Sequence, residues 1–185
     1  MKGQIDLVDA DIRARAARVR LVVFDVDGVL TDGRLILGEH GEEYKIFHSR
    51  DGQGIVMLRQ AGLQVAVISG RSSPVVSDRM AALGVEWVFQ GESRKLPVFE
   101  SLLSRLKLKP EQAAYVGDDL PDIAILARSG LAVIVADAHP DTVRFAHWQT
   151  RLPGGRGAAR EVCDLVLYAQ GLLASQLKHY ADGAA

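Results

Sequence analysis

Two aspartates one residue apart, Asp25 and Asp27, close an unbroken apolar run, Leu21-Val22-Val23-Phe24, and Gly28 follows at once. Carboxylates at that spacing can attack an electrophile, move a proton or hold a metal. Drawn together away from water they lose hydration and repel one another, so a bound cation is expected between them. A second acidic turn, Gly117-Asp118-Asp119-Leu120-Pro121-Asp122, closes another apolar run, Ala113–Val116. Ser69-Gly70-Arg71 ends a third, and Lys95 opens a helical segment a few residues after Gln90-Gly91. A hydroxyl and a guanidinium suit a phosphate or a carboxylate. A lysine at a helix start opposes the macrodipole, which points to an anion nearby. Together the four segments offer a nucleophilic carboxylate, a second carboxylate for proton transfer, a hydroxyl and a cation for phosphate oxygens, and an acidic metal site. Mg²⁺ fits that site, since it takes oxygen ligands from one or two carboxylates and a substrate phosphate.

These segments need strands to carry them. Leu21–Phe24, Gln64–Ser69, Glu86–Gly91, Ala113–Gly117 and Leu131–Val135 read as strands buried on both faces, and Val143–Gln149 leads toward an edge. Helices are expected over 6–18, 55–61, 74–83, 96–106 and 162–169, with Ser49 or Asp51 capping the second. That alternation predicts an α/β fold with a doubly wound parallel sheet, whose ligands bind outside the carboxyl ends of the strands. Residues 34–47 break the pattern. Arg34-Leu35-Ile36-Leu37 and Glu42–Phe47 flank a glycine-bearing turn, so a β-hairpin inserted after the first strand is expected to project near the site. A lone hairpin is marginal in water, which implies that it packs against another subunit. The segment Pro153–Glu161 is glycine-rich but lacks the Gly-Lys-Ser/Thr ending of a P-loop.

The chain has 185 residues, 48% hydrophobic and 24% charged, which suits a single domain across 1–185. A net charge of −1 gives no field that would draw nucleic acid. The single cysteine, Cys163, excludes an intrachain disulfide and is read as a core residue. No apolar run could span a bilayer and no signal-peptide pattern opens the chain, so no membrane partner and a cytoplasmic location are expected.

In the order of Asp25-Val26-Asp27-Gly28-Val29, Ser69, Lys95 and Gly117–Asp122, the chain resembles the haloacid dehalogenase superfamily of aspartate-nucleophile phosphatases. Arg50-Asp51-Gly52, Ala136–Pro140 and Gly154–Glu161 extend the resemblance to its small cap-less branch, over residues 20–171. The resemblance implies the haloacid dehalogenase fold, a Rossmann-like sheet with the hairpin and no cap domain. It implies a phosphomonoesterase that forms an aspartyl-phosphate on Asp25, with Asp27 as acid and then base. Asp25 and Asp118 would bind Mg²⁺ through carboxylates and Asp27 through its backbone carbonyl. Ser69 and Lys95 would hold the phosphoryl oxygens, and Asp119 would support the metal shell or Lys95. His48, Ser49, Arg50, Asp51, Gly52, Arg71 and Arg79 would join Asp27 and Lys95 in contacting a small-molecule sugar acid phosphate. A 2-keto-3-deoxy sugar acid of eight or nine carbons is implied, with Ser69-Gly70-Arg71 favouring eight and a place in lipopolysaccharide precursor synthesis. The branch further implies a homotetramer whose hairpins form a small barrel, with residues 154–160 reaching a neighbour's site. A non-catalytic oligomerisation module is the alternative of a different class.

Overall fold

The protein is described here by a computed structural model covering residues 8–183. Helix α1 (Ala10–Arg18) is capped by Asp9, whose carboxylate accepts the Asp11 N–H at 2.7 Å. Residues 6 and 7, where this helix was expected to begin, lie outside the described residues. Strand β1 (Leu21–Phe24) follows, then the hairpin strands β2 (Ile36–Leu37) and β3 (Glu43–Tyr44). Helix α2 (Ser49–Gln60), β4 (Gln64–Ile68), α3 (Pro74–Ala82) and β5 (Trp87–Phe89) come next. The second half runs through α4 (Lys95–Leu106), β6 (Ala113–Gly117), the short α5 (Ile123–Leu126) and β7 (Leu131–Ile134). It ends in β8 (Trp148–Gln149), α6 (Ala158–Ala169) and α7 (Leu173–Ala181).

Six strands form one parallel sheet in the order β5-β4-β1-β6-β7-β8. Successive side chains of a strand point to opposite faces, and the core divides accordingly. Val22, Phe24, Val65, Val67, Val116 and Val133 pack under α1, α2, α3 and α6. Leu21, Val23, Ile68, Tyr115 and Ile134 pack under α4 and α5. All four residues of β1 are fully buried, and each such apolar side chain contributes roughly 1.5–3 kcal/mol on burial. The chain starts in the middle of the sheet, winds outward to β5, then returns to the other side of β1 at β6. The crevice where the winding reverses lies between β1 and β6, the ordinary ligand position of such sheets. The predicted doubly wound α/β sheet is therefore present.

Three departures have local causes. Helix α2 begins at Ser49 rather than at Ile55, with His48 as its cap through Nδ1, so neither Ser49 nor Asp51 caps it. Gly52 and Gly54 lie inside the helix because it packs too closely for side chains there. A Cβ on Gly54 would sit 3.0 Å from the Cβ of Cys163 on α6, and one on Gly52 would collide with the Arg79 guanidinium. Residues 140–145 form a 3-10 turn, which leaves only Trp148 and Gln149 for the edge strand. The hairpin pairs two residues per strand, Ile36 with Tyr44 and Leu37 with Glu43. Cys163 is buried in the core, as read from the sequence.

Candidate active site

Asp25 stands one residue past β1, its N–H tied to the Val116 carbonyl of β6 at 3.0 Å. Asp118 stands one residue past β6, so neighbouring parallel strands bring the two carboxylates together. Gly28 permits the approach. Its φ of +93° is a left-handed conformation, and any Cβ there would strike the Asp118 carboxylate. Ligand oxygens of Asp25, Asp118 and Asp122 lie within 4.8 Å of one another.

One buried lysine serves two of these acids. Lys95 Nζ is 3.0 Å from Asp25 Oδ2 and 2.7 Å from Asp122 Oδ1. Asp122 also accepts the Tyr115 hydroxyl at 2.6 Å and the N–H groups of Asp118 and Asp119 at 2.9 and 3.2 Å. Burial works against the Lys95 ammonium, but Asp25 and Asp122 outweigh it and hold its pKa above the ordinary value. Burial, reinforced by Asp122, pushes Asp25 up to about 7. Burial, reinforced by Asp25 and Asp122, pushes Asp118 up to about 8. Two acids so destabilised as anions, and a buried Asp118 Oδ1 without a hydrogen-bond partner among the described residues, are what a divalent cation would relieve. The donor set is all oxygen, as Mg²⁺ requires, so the residues present fit that ion.

An open cleft at this end of the sheet is lined by Asp25, Asp27, Ser69, Arg71, Lys95 and Asp118, so the structure gathers these sequence-predicted residues at one place. Ser69 is buried, and its Oγ accepts the Arg71 N–H at 3.2 Å. Arg71 Nε lies 3.7 Å from Asp27 Oδ2. Asp27 forms a second ion pair, with Lys45 of the hairpin.

Other predicted residues lie elsewhere. His48, Asp51, Gly52 and Arg79 line a separate small depression with Phe47 and Met80, while Ser49 and Arg50 are exposed. Asp51 has a different partner from the one expected. It is buried, Oδ1 accepts the Arg160 N–H at 2.7 Å and Oδ2 the Gly157 N–H at 3.1 Å. Each of its oxygens thus serves a free N-terminal amide of α6. Burial still pushes its pKa up against those bonds. The expected support of Lys95 by Asp119 falls to Asp122, since Asp119 caps the following turn through the Leu120 N–H at 2.8 Å. Within the glycine-rich segment, Gly154 and Gly155 pack on their own chain. Gly155 N–H donates to the Val29 carbonyl at 2.9 Å, and a Cβ on Gly154 would overlap the Gly28 carbonyl.

Tyr115, Asp122 and Lys45 were not assigned roles from the sequence. Asp122 was visible as the last acid of Gly117–Asp122, and a buried tyrosine two residues before Gly117 needs a partner for its hydroxyl. Lys45 was legible from the period of two, which puts it opposite Tyr44 and Ile46.

An aspartate at the switch point, a second one two residues on, and an acidic turn across a lysine define the class: a hydrolase of haloacid dehalogenase type. A family model for haloacid dehalogenase-like hydrolases matches residues 53–130. The chain is 51% identical over 166 residues to 3-deoxy-D-manno-octulosonate 8-phosphate phosphatase KdsC of Escherichia coli strain B, covering 90% of this chain and 88% of that protein. The crystal structure of the Yersinia pestis phosphatase of that name superposes with a TM-score of 0.89 at 49% identity, covering 90% of each chain. The Moraxella catarrhalis phosphatase, solved with magnesium, phosphate and KDO, superposes at 0.90 with 36% identity, over 92% of this chain and 98% of that one. The chain belongs to the family of 3-deoxy-D-manno-octulosonate 8-phosphate phosphatases.

Proposed function

We propose that the chain is a Mg²⁺-dependent phosphatase that hydrolyses 3-deoxy-D-manno-octulosonate 8-phosphate to the free sugar acid and phosphate, in lipopolysaccharide precursor synthesis. The observation that carries this reading is the Asp25–Lys95–Asp122 chain of charges beside Asp118, at the mouth of the β1/β6 crevice. Asp25 attacks phosphorus, the bond to the sugar oxygen breaks, and that oxygen takes its proton from Asp27. Water then attacks the aspartyl-phosphate, gives its proton to Asp27 and releases phosphate and free Asp25. Lys95 and Ser69 hold the phosphoryl oxygens as charge develops. Asp25, Asp118 and the Asp27 backbone carbonyl would hold the Mg²⁺, which supplies charge against the repulsion between an anionic nucleophile and an anionic phosphate. Asp122 keeps Lys95 aimed at Asp25. Arg71 is the arginine in the cleft and the one that suits the sugar acid carboxylate.

The residues 1–185 are read as a single domain that works as a homotetramer in the cytoplasm. Support for the assembly comes from the hairpin, where Leu35, Ile36, Leu37, Tyr44 and Ile46 are exposed on one short segment. Such a patch suits burial against symmetry-related copies. In a tetramer, the exposed Ser49 and Arg50 are available to a site other than their own cleft. Phosphate release from a panel of sugar phosphates with Mg²⁺ tests the reading. The eight-carbon acid phosphate is expected to give the highest kcat/KM, and a higher value for a nine-carbon acid phosphate would move the assignment to that substrate.

A further inference from the structure

The hairpin's inner face carries charge. Glu43 and Lys45 alternate with the exposed Tyr44 and Ile46, and the Lys45 side chain is only 1% exposed. A buried ammonium is costly unless anions surround it. Lys45 Nζ meets two, the Asp27 carboxylate and Glu43 Oε1 at 3.3 Å. Arg71 closes the ring, 3.7 Å from Asp27 Oδ2 and 3.5 Å from Glu43 Oε1. Asp27 therefore has one oxygen on the hairpin's lysine and the other facing an arginine from the loop after β4. No other contact of the Asp27 carboxylate is seen among the described residues.

From this geometry we infer that Lys45 is a positioning residue for the phosphatase reaction, holding the Asp27 carboxylate in the orientation from which it gives and takes the proton. The inference rests on the reading of Asp27 as acid and base. Asp27 sits on a loop, beyond the last residue of β1, and its two carboxylate oxygens are held by these two cations. Arg71 is 46% exposed and long, so its hold on Asp27 is loose. The buried Lys45 is the firm contact. The hairpin thus has two jobs on two faces: the outer one suits a partner copy, and the inner one orients the proton-transfer group of its own chain. A hairpin lifted from the surface would take Lys45 away from Asp27 while leaving Asp25, Lys95 and Asp122 untouched.

The test removes the charge in two ways, Lys45→Gln and Lys45→Met, so that one folding variant suffices, with Lys45→Arg as the conservative control and Asp27→Asn beside them. A misplaced proton-transfer group is expected to lower kcat on the sugar phosphate roughly 10²-fold with KM nearly unchanged, and Lys45→Arg should recover much of it. p-Nitrophenyl phosphate separates the two steps. Its leaving group needs no proton, so attack by Asp25 stays fast, while hydrolysis of the aspartyl-phosphate still needs Asp27. The charge-removed variants should therefore release a rapid burst of nitrophenolate approaching one equivalent per site, then turn over slowly. Adding the Lys45 change to Asp27→Asn should cost nothing further. Wild-type kcat in the charge-removed variants, or a loss that adds in full to that of Asp27→Asn and shows no burst, would overturn the positioning role. An Asp27→Asn enzyme with wild-type turnover would instead overturn the reading of Asp27 itself.

Discussion

The acidic crevice and the hairpin sit side by side, yet they are held by opposite means. Asp25, Lys95 and Asp122 are buried, and each is fixed by a strand end or helix start backed by core residues such as Phe99 and Tyr115. The hairpin has two residues per strand, five exposed large apolar side chains and two ionic anchors, Lys45 on Asp27 and Glu43 on Arg71. The crevice is a property of the single chain. Nothing among the described residues completes the hairpin's outer face. Bond-making should therefore tolerate little change in the crevice and should respond gradually to change in the hairpin.

The sharpest way to break that contrast is at Asp25, the proposed nucleophile. Asp25→Asn preserves size and removes the attacking charge, so turnover should fall roughly 10⁴–10⁶-fold while circular dichroism shows an intact fold. Retained turnover would end the assignment of Asp25. A smaller effect is expected on the hairpin's outer face. Ile36→Lys and Ile46→Lys should shift sedimentation toward smaller species and lower turnover on the sugar phosphate several-fold, about a tenth of it remaining at most loss of assembly. p-Nitrophenyl phosphate should suffer less. A wild-type enzyme that sediments as a fully active monomer would remove the need for a partner.

The smallest effect is thermodynamic. Asp25 and Asp118 have folded-state pKa values raised to about 7 and about 8, first by burial and then by neighbouring charge, Asp122 on Asp25, and Asp25 and Asp122 on Asp118. The folded protein therefore binds their protons more tightly than the unfolded chain does. Their contribution to metal-free stability is full below about pH 4 and is lost as pH rises through 7 and 8. Mg²⁺ relieves the same repulsion, so the rise in Tm that it produces should grow from about pH 5 to about pH 8.5. A Tm shift independent of pH would contradict the metal's place between these two acids.

Much of the crevice was legible in the sequence because it is written in continuous stretches. An apolar run ending in Asp25-Val26-Asp27-Gly28, and another ending in Gly117-Asp118, state both the strand and what its end presents. Lys95 was legible because a lysine is misplaced at a helix start unless an anion faces it. Contacts across long separations were not legible in the same way. Nothing local to Asp51 says that it will cap a helix beginning at Ala158, and Ser49-Arg50-Asp51 reads equally well as a loop of ligands. The first turn of α2 was missed because Gly52 and Gly54 resemble loop residues. They are helical here since Cys163 and Arg79 press against them. Asp119 and Asp122 are alike in type and nearly so in position, and only the turn between them decides which one faces Lys95.

The packing of Gly154 and Gly155 on residues 28–31 has a consequence for how the enzyme comes into being. The loop that bears Asp25 leaves the ribosome roughly 125 residues before the surface that backs it. At about 5–20 residues per second the interval is roughly 6–25 s. For that time Asp25 and Asp27 have no finished wall behind their loop, and Asp51 has no amides to accept. The motif is thus unassembled until that surface and helix α6 arrive. The competence of the Asp25–Asp27 motif is set by a stretch that is read long after it.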